Sequence, residues 1–244
     1  MEGIIMLRVK NTPNLTGVLI IGDTEDFENL YDALHKVVGI EDTMNDHYEA
    51  RLRVLNFCYN IRHARMGNRN AFFKPHGLEE EQMAYMSLVG SKQNLYVSFE
   101  TLWPELLFNV FAFEDFISMY IKREKAHAWD ANVLTVRKFQ SLIAHLLEET
   151  LTPRQFSSLK KSMNPTSKQF KGFTTQYIDL LNHEWLDMTR EKRLKNLSIY
   201  AKKITQPDIE YEIVKEDVAA VAKEHYCHPS EIKFNFDFPD KIEW

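Results

Sequence analysis

The densest run of groups able to bind a charged ligand lies between residues 153 and 207. Lys160, Lys161, Lys168 and Lys171 are interspersed with Ser157, Ser158, Ser167, Phe170 and Phe173, and Arg190, Lys192, Arg193 and Lys195 follow with Tyr200, Lys202 and Lys203. Cations mixed with hydroxyls and rings suit a phosphate backbone, and they suit an acidic protein surface equally well. The segment 153–207 carries eleven Lys/Arg against four Asp/Glu, about +7, whereas 208–244 carries four against ten, about −6, in a chain of net charge −5. It is a basic island in an acidic protein, able to meet a nucleic acid, a protein partner, the chain's own acidic parts, or only water.

Other constellations are smaller. Asp23, Glu25 and Asp26 could offer oxygen ligands to Mg²⁺, but three carboxylates also suit the positive end of a helix. His183 and Asp187 are spaced i, i+4 with Glu184 beside them, a spacing that can share a divalent metal, yet the second histidine of H-E-x-x-H is missing. His225, Cys227 and His228 offer soft and borderline ligands, followed at once by Pro229, as at an ordinary helix end. Glu114 and Asp115 sit in an apolar run, where a carboxylate is either paired or raised in pKa. Arg51, Arg53, Arg62, His63, Arg65 and Arg69 offer guanidinium groups to phosphate or to internal carboxylates, and His47 lies near Asp46 and Glu49. No resident metal is assigned from these patterns.

The chain has no Walker A sequence, no G-x-G-x-x-G, no G-x-S-x-G and no C-x-x-C, so no cofactor is called for and no catalytic residue can be named. Two cysteines, Cys58 and Cys227, do not make a disulfide framework, and a reducing, cytoplasmic setting is expected. Residues 1–7 lack the basic and long apolar regions of a signal peptide. The most apolar stretch, 102–121, contains Glu105, Glu114 and Asp115, which argues against a membrane span and for a buried helix.

These residues must be held by a fold of the α+β class. Alternation at Leu7–Lys10 and the run Val18–Ile21, separated by Asn11-Thr12-Pro13-Asn14, predict an N-terminal hairpin. Asp23 or Thr24 caps a helix with the stripe Phe27, Leu30, Leu34, Val37 and Val38, ended by Gly39. A second helix is expected over 45–66 with Leu52, Leu55, Cys58 and Tyr59 inward. Residues 67–92 read as irregular, with a short helix near 79–87, and 94–100 as a strand. Pro104 opens the apolar helix, and further helices are predicted at 132–149, 153–163 (capped by Thr152 and Gln155), 174–187 and 189–204. At the C-terminus, 209–214 and 232–238 alternate as strands around a short helix at 217–226. The polar stretch 164–171 reads as a loop or linker. The expectation is a single domain, 1–244, with a mostly helical body and a small sheet formed by N- and C-terminal strands; a subdivision near 125–132 is the alternative.

The segment Asn11-Thr12-Pro13-Asn14-Leu15-Thr16-Gly17-Val18, with Gly22-Asp23 and Leu30-Tyr31-Asp32-Ala33-Leu34-His35, resembles the start of an uncharacterised family of proteins from Gram-positive bacteria. The resemblance runs mainly over residues 7–40 and more faintly over the C-terminal helix–strand unit. It implies a bacterial or phage setting and carries no site residue. Charge segregation, aromatic content and missing catalytic motifs point first to a non-enzymatic interaction or regulatory protein, of the immunity or phage–host conflict kind, with a protein partner. The alternatives are a nucleic-acid-associated protein using residues 154–203 and a metal-dependent hydrolase assembled from distant residues. Oligomeric state is not legible.

Overall fold

The computed structural model describes residues 7–39, 45–160, 163 and 169–244. Among them are nine α-helices and one four-stranded antiparallel sheet, so the class is α+β and helix-dominated. Lys161, Lys168 and most of the polar stretch 164–171 lie outside the described residues.

Strands β1 (Arg8–Asn11) and β2 (Gly17–Gly22) form the expected hairpin. Gly17 is required where β2 starts, because a Cβ there would sit 2.0 Å from the Thr101 carbonyl oxygen. Asp23 caps α1 (Thr24–Val38) through a reciprocal box with Asp26, and the predicted stripe Phe27, Leu30, Leu34, Val37 and Val38 is buried. Helix α2 (Tyr48–Arg65) turns a different face inward than expected. Ala50, Val54, Phe57, Cys58, Ile61 and Ala64 are buried, while Leu52 and Tyr59 are exposed. The small alanines complete the 3.6-residue period and let α2 lie close to its neighbours, which a stripe chosen by side-chain bulk overlooks.

Strand β3 (Asn70–Pro75) lies in the stretch expected to be irregular, and a short helix, α3 (Glu80–Tyr85), follows it. Strand β4 (Gln93–Leu102) then pairs with both β2 and β3, giving the order β1-β2-β4-β3. Val18, Ile20, Val97 and Phe99 supply the core face of the sheet. The other face holds a small cluster of Ile21 and Tyr96 with Leu19 and Phe72 against it.

β4 runs directly into α4 (Trp103–Glu124), with Pro104 in its first turn. Fourteen of its residues are buried, so this helix is central. It is covered by the sheet, α1, α2, α5 (Ala131–Thr150), α7 (Gln176–Leu186) and α8 (Arg190–Thr205). Helix α6 (Pro153–Lys160) packs on α5 and α8 and carries the predicted Thr152/Gln155 box. No described helix is long and apolar enough to cross a membrane.

The C-terminal strand expectations are corrected. Residues 209–214 belong to α9 (Ile209–Glu224), because Asp208 caps its first turn and Tyr211, Val214, Val218 and Ala222 form a helical buried stripe. Residues 232–238 join no sheet; the Ile232 carbonyl accepts from Gln176 Nε2 at 2.9 Å, and Phe238 N–H bonds the Phe236 carbonyl at 3.1 Å. Their alternate rings pack on one another and on α7: Phe234–Phe236 at 5.2 Å, Phe236–Phe238 at 6.1 Å and His183–Phe236 stacked at 4.7 Å. The chain then returns to the hairpin turn, where Thr16 Oγ1 donates to the Glu243 carbonyl (2.6 Å) and Asn14 N–H to that of Trp244 (3.3 Å). The sheet is thus built from the first 102 residues alone.

Phe57 is 2% exposed and meets the rings of Phe99, Phe113 and Phe139 at 5.7–6.2 Å. Phe57→Ala is expected to lower stability by about 3–5 kcal/mol. Tyr59→Ala, two positions away and half-exposed, should stay within about 0.5 kcal/mol. Urea titrations of the two variants against the parent chain check both values.

Candidate functional site

Glu105 and Asp115 of α4 are tied inward. Arg53 donates to both oxygens of Glu105 and reaches Asp179 at 2.9 Å and the Thr175 carbonyl at 3.0 Å. Asn182 Nδ2 also donates to Glu105 at 3.0 Å, so α2, α4 and α7 share one polar knot. Those neighbouring carboxylates raise the Arg53 pKa against the opposing effect of burial. Asp115 accepts from the Gln169 and Phe170 backbone and lies 3.2 Å from His47 Nε2, with both side chains buried. These groups hold elements together and expose no reactive atom.

The basic island does not form one surface. Arg193 is 6% exposed, and its guanidinium donates to the carbonyls of Trp185, Asn14 and Leu186 and to Thr16 Oγ1, at 2.7–3.0 Å. Arg190 donates to the Pro13 carbonyl at 3.1 Å. Both arginines pin the hairpin turn to the start of α8. A cleft of about 580 Å³ beside them mixes Arg190 and Lys241 with Asp187, Asp237 and Glu243, so it presents no single sign of charge. Lys171 pairs with Asp46 at 2.9 Å, and Lys160 lies 3.9 Å from Glu148 and over the Phe156 ring. Lys192, Lys195 and Lys202 remain exposed along α8 with no carboxylate within ion-pair range among the described residues.

The metal-like patterns disperse. Asp23 and Asp26 cap α1, and His183 lies under Phe236. His228 Nδ1 sits 2.8 Å from Ser230 Oγ and caps the following turn. The described residues hold no group of three His, Cys, Asp or Glu able to take a metal ion. Cys58 is buried, which pushes its thiol up to about 12, and Cys227 is a second free thiol.

One surface stands out that the motif reading passed over. His76 N–H bonds the Lys92 carbonyl at 3.1 Å, in register with the Pro75–Gln93 pair. Antiparallel pairs alternate, so Asn70, Phe72 and Lys74 face β4, while Ala71, Phe73 and Pro75 turn their backbone groups outward. No described residue bonds the outward groups of Ala71 and Phe73. Pro75, which has no N–H, stands at an outward position, where none is required by the ladder. Beside this edge Phe73 is 63% exposed and its cross-strand neighbour Leu95 41%. Tyr85, Met86, Leu88 and Val89 project from α3 and its exit, also exposed.

The charges near this edge are mixed: Glu100 of β4 accepts from Asn70 at 3.1 Å and Glu80 and Glu81 open α3, while the chain leading into β3 is basic. No Asp or Glu occurs between Ala50 and Leu78. Arg65 pairs with Glu28, but Arg62, Arg69 and Lys74 have no carboxylate within ion-pair range among the described residues. Among the described residues Arg69 bonds the amide oxygen of Asn60. That carboxylate-free run is the sequence signal that could have located the surface.

A family model described as Domain of unknown function (DUF6904) matches residues 7–244. No curated protein and no solved structure matches the chain.

A further cleft of about 520 Å³ is lined by Asp46, His47, Glu49, Lys171, Phe173 and His228. Glu49 accepts from Thr175 N–H at 3.4 Å, and burial raises its pKa, opposed by that bond and by His228. The folded chain therefore holds this proton above the ordinary carboxylate range, and its stability falls as pH rises from that range through the folded value. Glu49→Gln has no proton to lose. Its stability relative to the parent should rise across that window and then level off, as followed by urea midpoints at stepped pH. A constant difference would contradict the burial effect.

Proposed function

The chain belongs to this family of unknown function, and we propose that it is a non-enzymatic interaction protein that adds an acidic, apolar, extended segment of a partner protein to the β3 edge. The observation that carries this reading is the unpaired edge itself. Ala71 and Phe73 offer two donors and two acceptors in line, and Pro75 adds a third acceptor. Native sheets usually blunt such an edge, because it is a template for another strand. Here Phe73 and Leu95 offer apolar contact to alternate side chains of an incoming strand. Arg69 and Lys74 supply unneutralised charge that selects carboxylates and speeds encounter. An immunity-like or regulatory binder in a bacterial or phage setting fits this chemistry, and the free thiols fit a reducing cytoplasm.

Short synthetic peptides alternating valine with glutamate should bind the full chain at least about tenfold tighter than matched valine–lysine peptides, weakening with salt. Phe73→Pro removes an outward N–H without breaking a bond to β4 and should abolish binding. The paired variant Arg69→Glu with Lys74→Glu should reverse the charge preference. Fluorescence anisotropy reads all three, and equal binding of both peptide classes, or retention by Phe73→Pro, would sink the reading.

A second reading, association with nucleic acid, is favoured by the exposed Lys192, Lys195 and Lys202 on α8. Under it, single-stranded DNA should bind with a steep salt dependence that Lys192→Glu, Lys195→Glu and Lys202→Glu together flatten. A gel-shift titration that ignores salt excludes it.

A further inference from the structure

The charge segregation along the chain has a counterpart on two consecutive helices. Helix α8 buries Leu197, Tyr200, Ala201 and Ile204. Its opposite face carries Lys192, Lys195, Ile199 and Lys202, all exposed and spaced i, i+3, i+7 and i+10, so they share one side. Helix α9 buries Tyr211, Val214, Val218 and Ala222. Its opposite face carries Ile209, Ile213, Glu216 and Ala220, spaced i, i+4, i+7 and i+11, with Asp217 and Glu224 beside them, all exposed. Both helices have 16 residues, so each face is about 24 Å long.

The two faces match in kind and oppose in sign. Each sets apolar side chains among charges: Ile199 is 49% exposed, Ile209 81% and Ile213 54%. At the corner between the helices Lys203 pairs with Glu210 at 2.6 Å, and on α9 Lys215 pairs with Glu212 at 3.3 Å. Beyond these pairs, Lys192, Lys195 and Lys202 on one face and Glu216, Asp217 and Glu224 on the other have no opposite charge in ion-pair range among the described residues. Glu191 and Lys223, each near an end of its helix, carry the minority sign and leave the sign of each face unchanged. A singly exposed isoleucine is ordinary. Two helix faces of opposite sign, each with isoleucine among its charges and both on one chain, are what a contact between copies requires.

We propose that α8 of one chain docks on α9 of a second copy, with the isoleucines inside and lysine–carboxylate pairs around them. Every chain carries both halves of this contact, and the complementary potentials set the pairing and speed encounter. Where two copies dock reciprocally the contact is used twice and closes a two-fold pair. This surface is separate from the β3 edge and does not rest on the strand-capture reading. It uses the lysines of the nucleic-acid reading, and the test separates the two.

Sedimentation of the full chain, with and without nuclease treatment, is followed from about 1 μM to about 1 mM, the span in which a modest interface assembles. A species of two or more chains should form as concentration rises, with or without nuclease. Raising salt from about 0.01 M to about 1 M, which cuts the Debye length from about 30 Å to about 3 Å, should weaken it at least about tenfold. Lys192→Glu, Lys195→Glu and Lys202→Glu together should weaken self-association at least about tenfold, and so should Glu216→Lys, Asp217→Lys and Glu224→Lys together. Mixed, the two triple variants again oppose unlike charges at both contacts and should assemble with each other. A parent chain that stays monomeric over the whole span, or an assembly indifferent to salt, overturns the proposal. So does a larger species that nuclease removes, or a pair of variants that keep the parent's circular dichroism yet fail to assemble when mixed. The parent chain's sedimentation needs no variant, so a variant that fails to fold leaves that test intact.

Discussion

A helix that is apolar nearly all round must be covered on every side, and α4 imposes that demand on the rest of the chain. Its buried rings, Phe108, Phe111, Phe113 and Phe116, point to several sides, and only Ser118, Lys122 and Glu124 near its end are exposed. The sheet, α1, α2, α5, α7 and α8 are the cover. Burial of this helix also decides where polar groups go, because a carboxylate on α4 is stable only if a partner comes to it. Glu105 draws Arg53 from α2 and Asn182 from α7, and Asp115 draws His47 and the backbone of Gln169 and Phe170. The cover is not complete: among the described residues Asn109 Oδ1, Glu114 Oε2 and Arg123 Nη1 on this helix are left buried without a hydrogen-bond partner.

The local rules carried the helices well because helical signals are local. Asp23 with Asp26, and Thr152 with Gln155, satisfy backbone donors within three residues, so their spacing alone marks a helix start. The same locality misled at 209–214, where two-residue alternation matched a strand, while the Asp208 cap and a stripe extending to Ala222 made a helix. It misled again at 232–238. An alternating segment becomes a strand only if an edge accepts it, and here its phenylalanines found α7 and His183 instead. β3 was hidden for the opposite reason. Asn70, Pro75 and the nearby glycines read as turn residues, yet an edge strand tolerates both a proline and exposed side chains.

The candidate sites were less legible, because each depends on what long-range packing leaves unpaired. Nothing in the spacing of Lys192 and Arg193 says that one is exposed and the other buried beneath four oxygens. Arg53 and Glu105 lie fifty-two residues apart, so their pairing follows only from helix packing. The β3 edge is a property of strand order, and the orphaned acceptors are a property of side-chain geometry. Glu114 was already notable as a charge in an apolar run, but its neighbour Asp115, equally notable, is fully engaged. Composition raises the question at such a residue, and only the partner count answers it.

β4 ends at Leu102 and α4 begins at Trp103, so the sheet and the central helix are one continuous element. Phe57 of α2, Phe99 of β4, Phe113 of α4 and Phe139 of α5 interlock around it. Such packing resists small displacements. A strand added at β3 meets backbone groups already fixed by pairing with β4. The edge is preorganised, so it can accept a strand without moving the core, and little ordering cost is left for the receptor side of the contact.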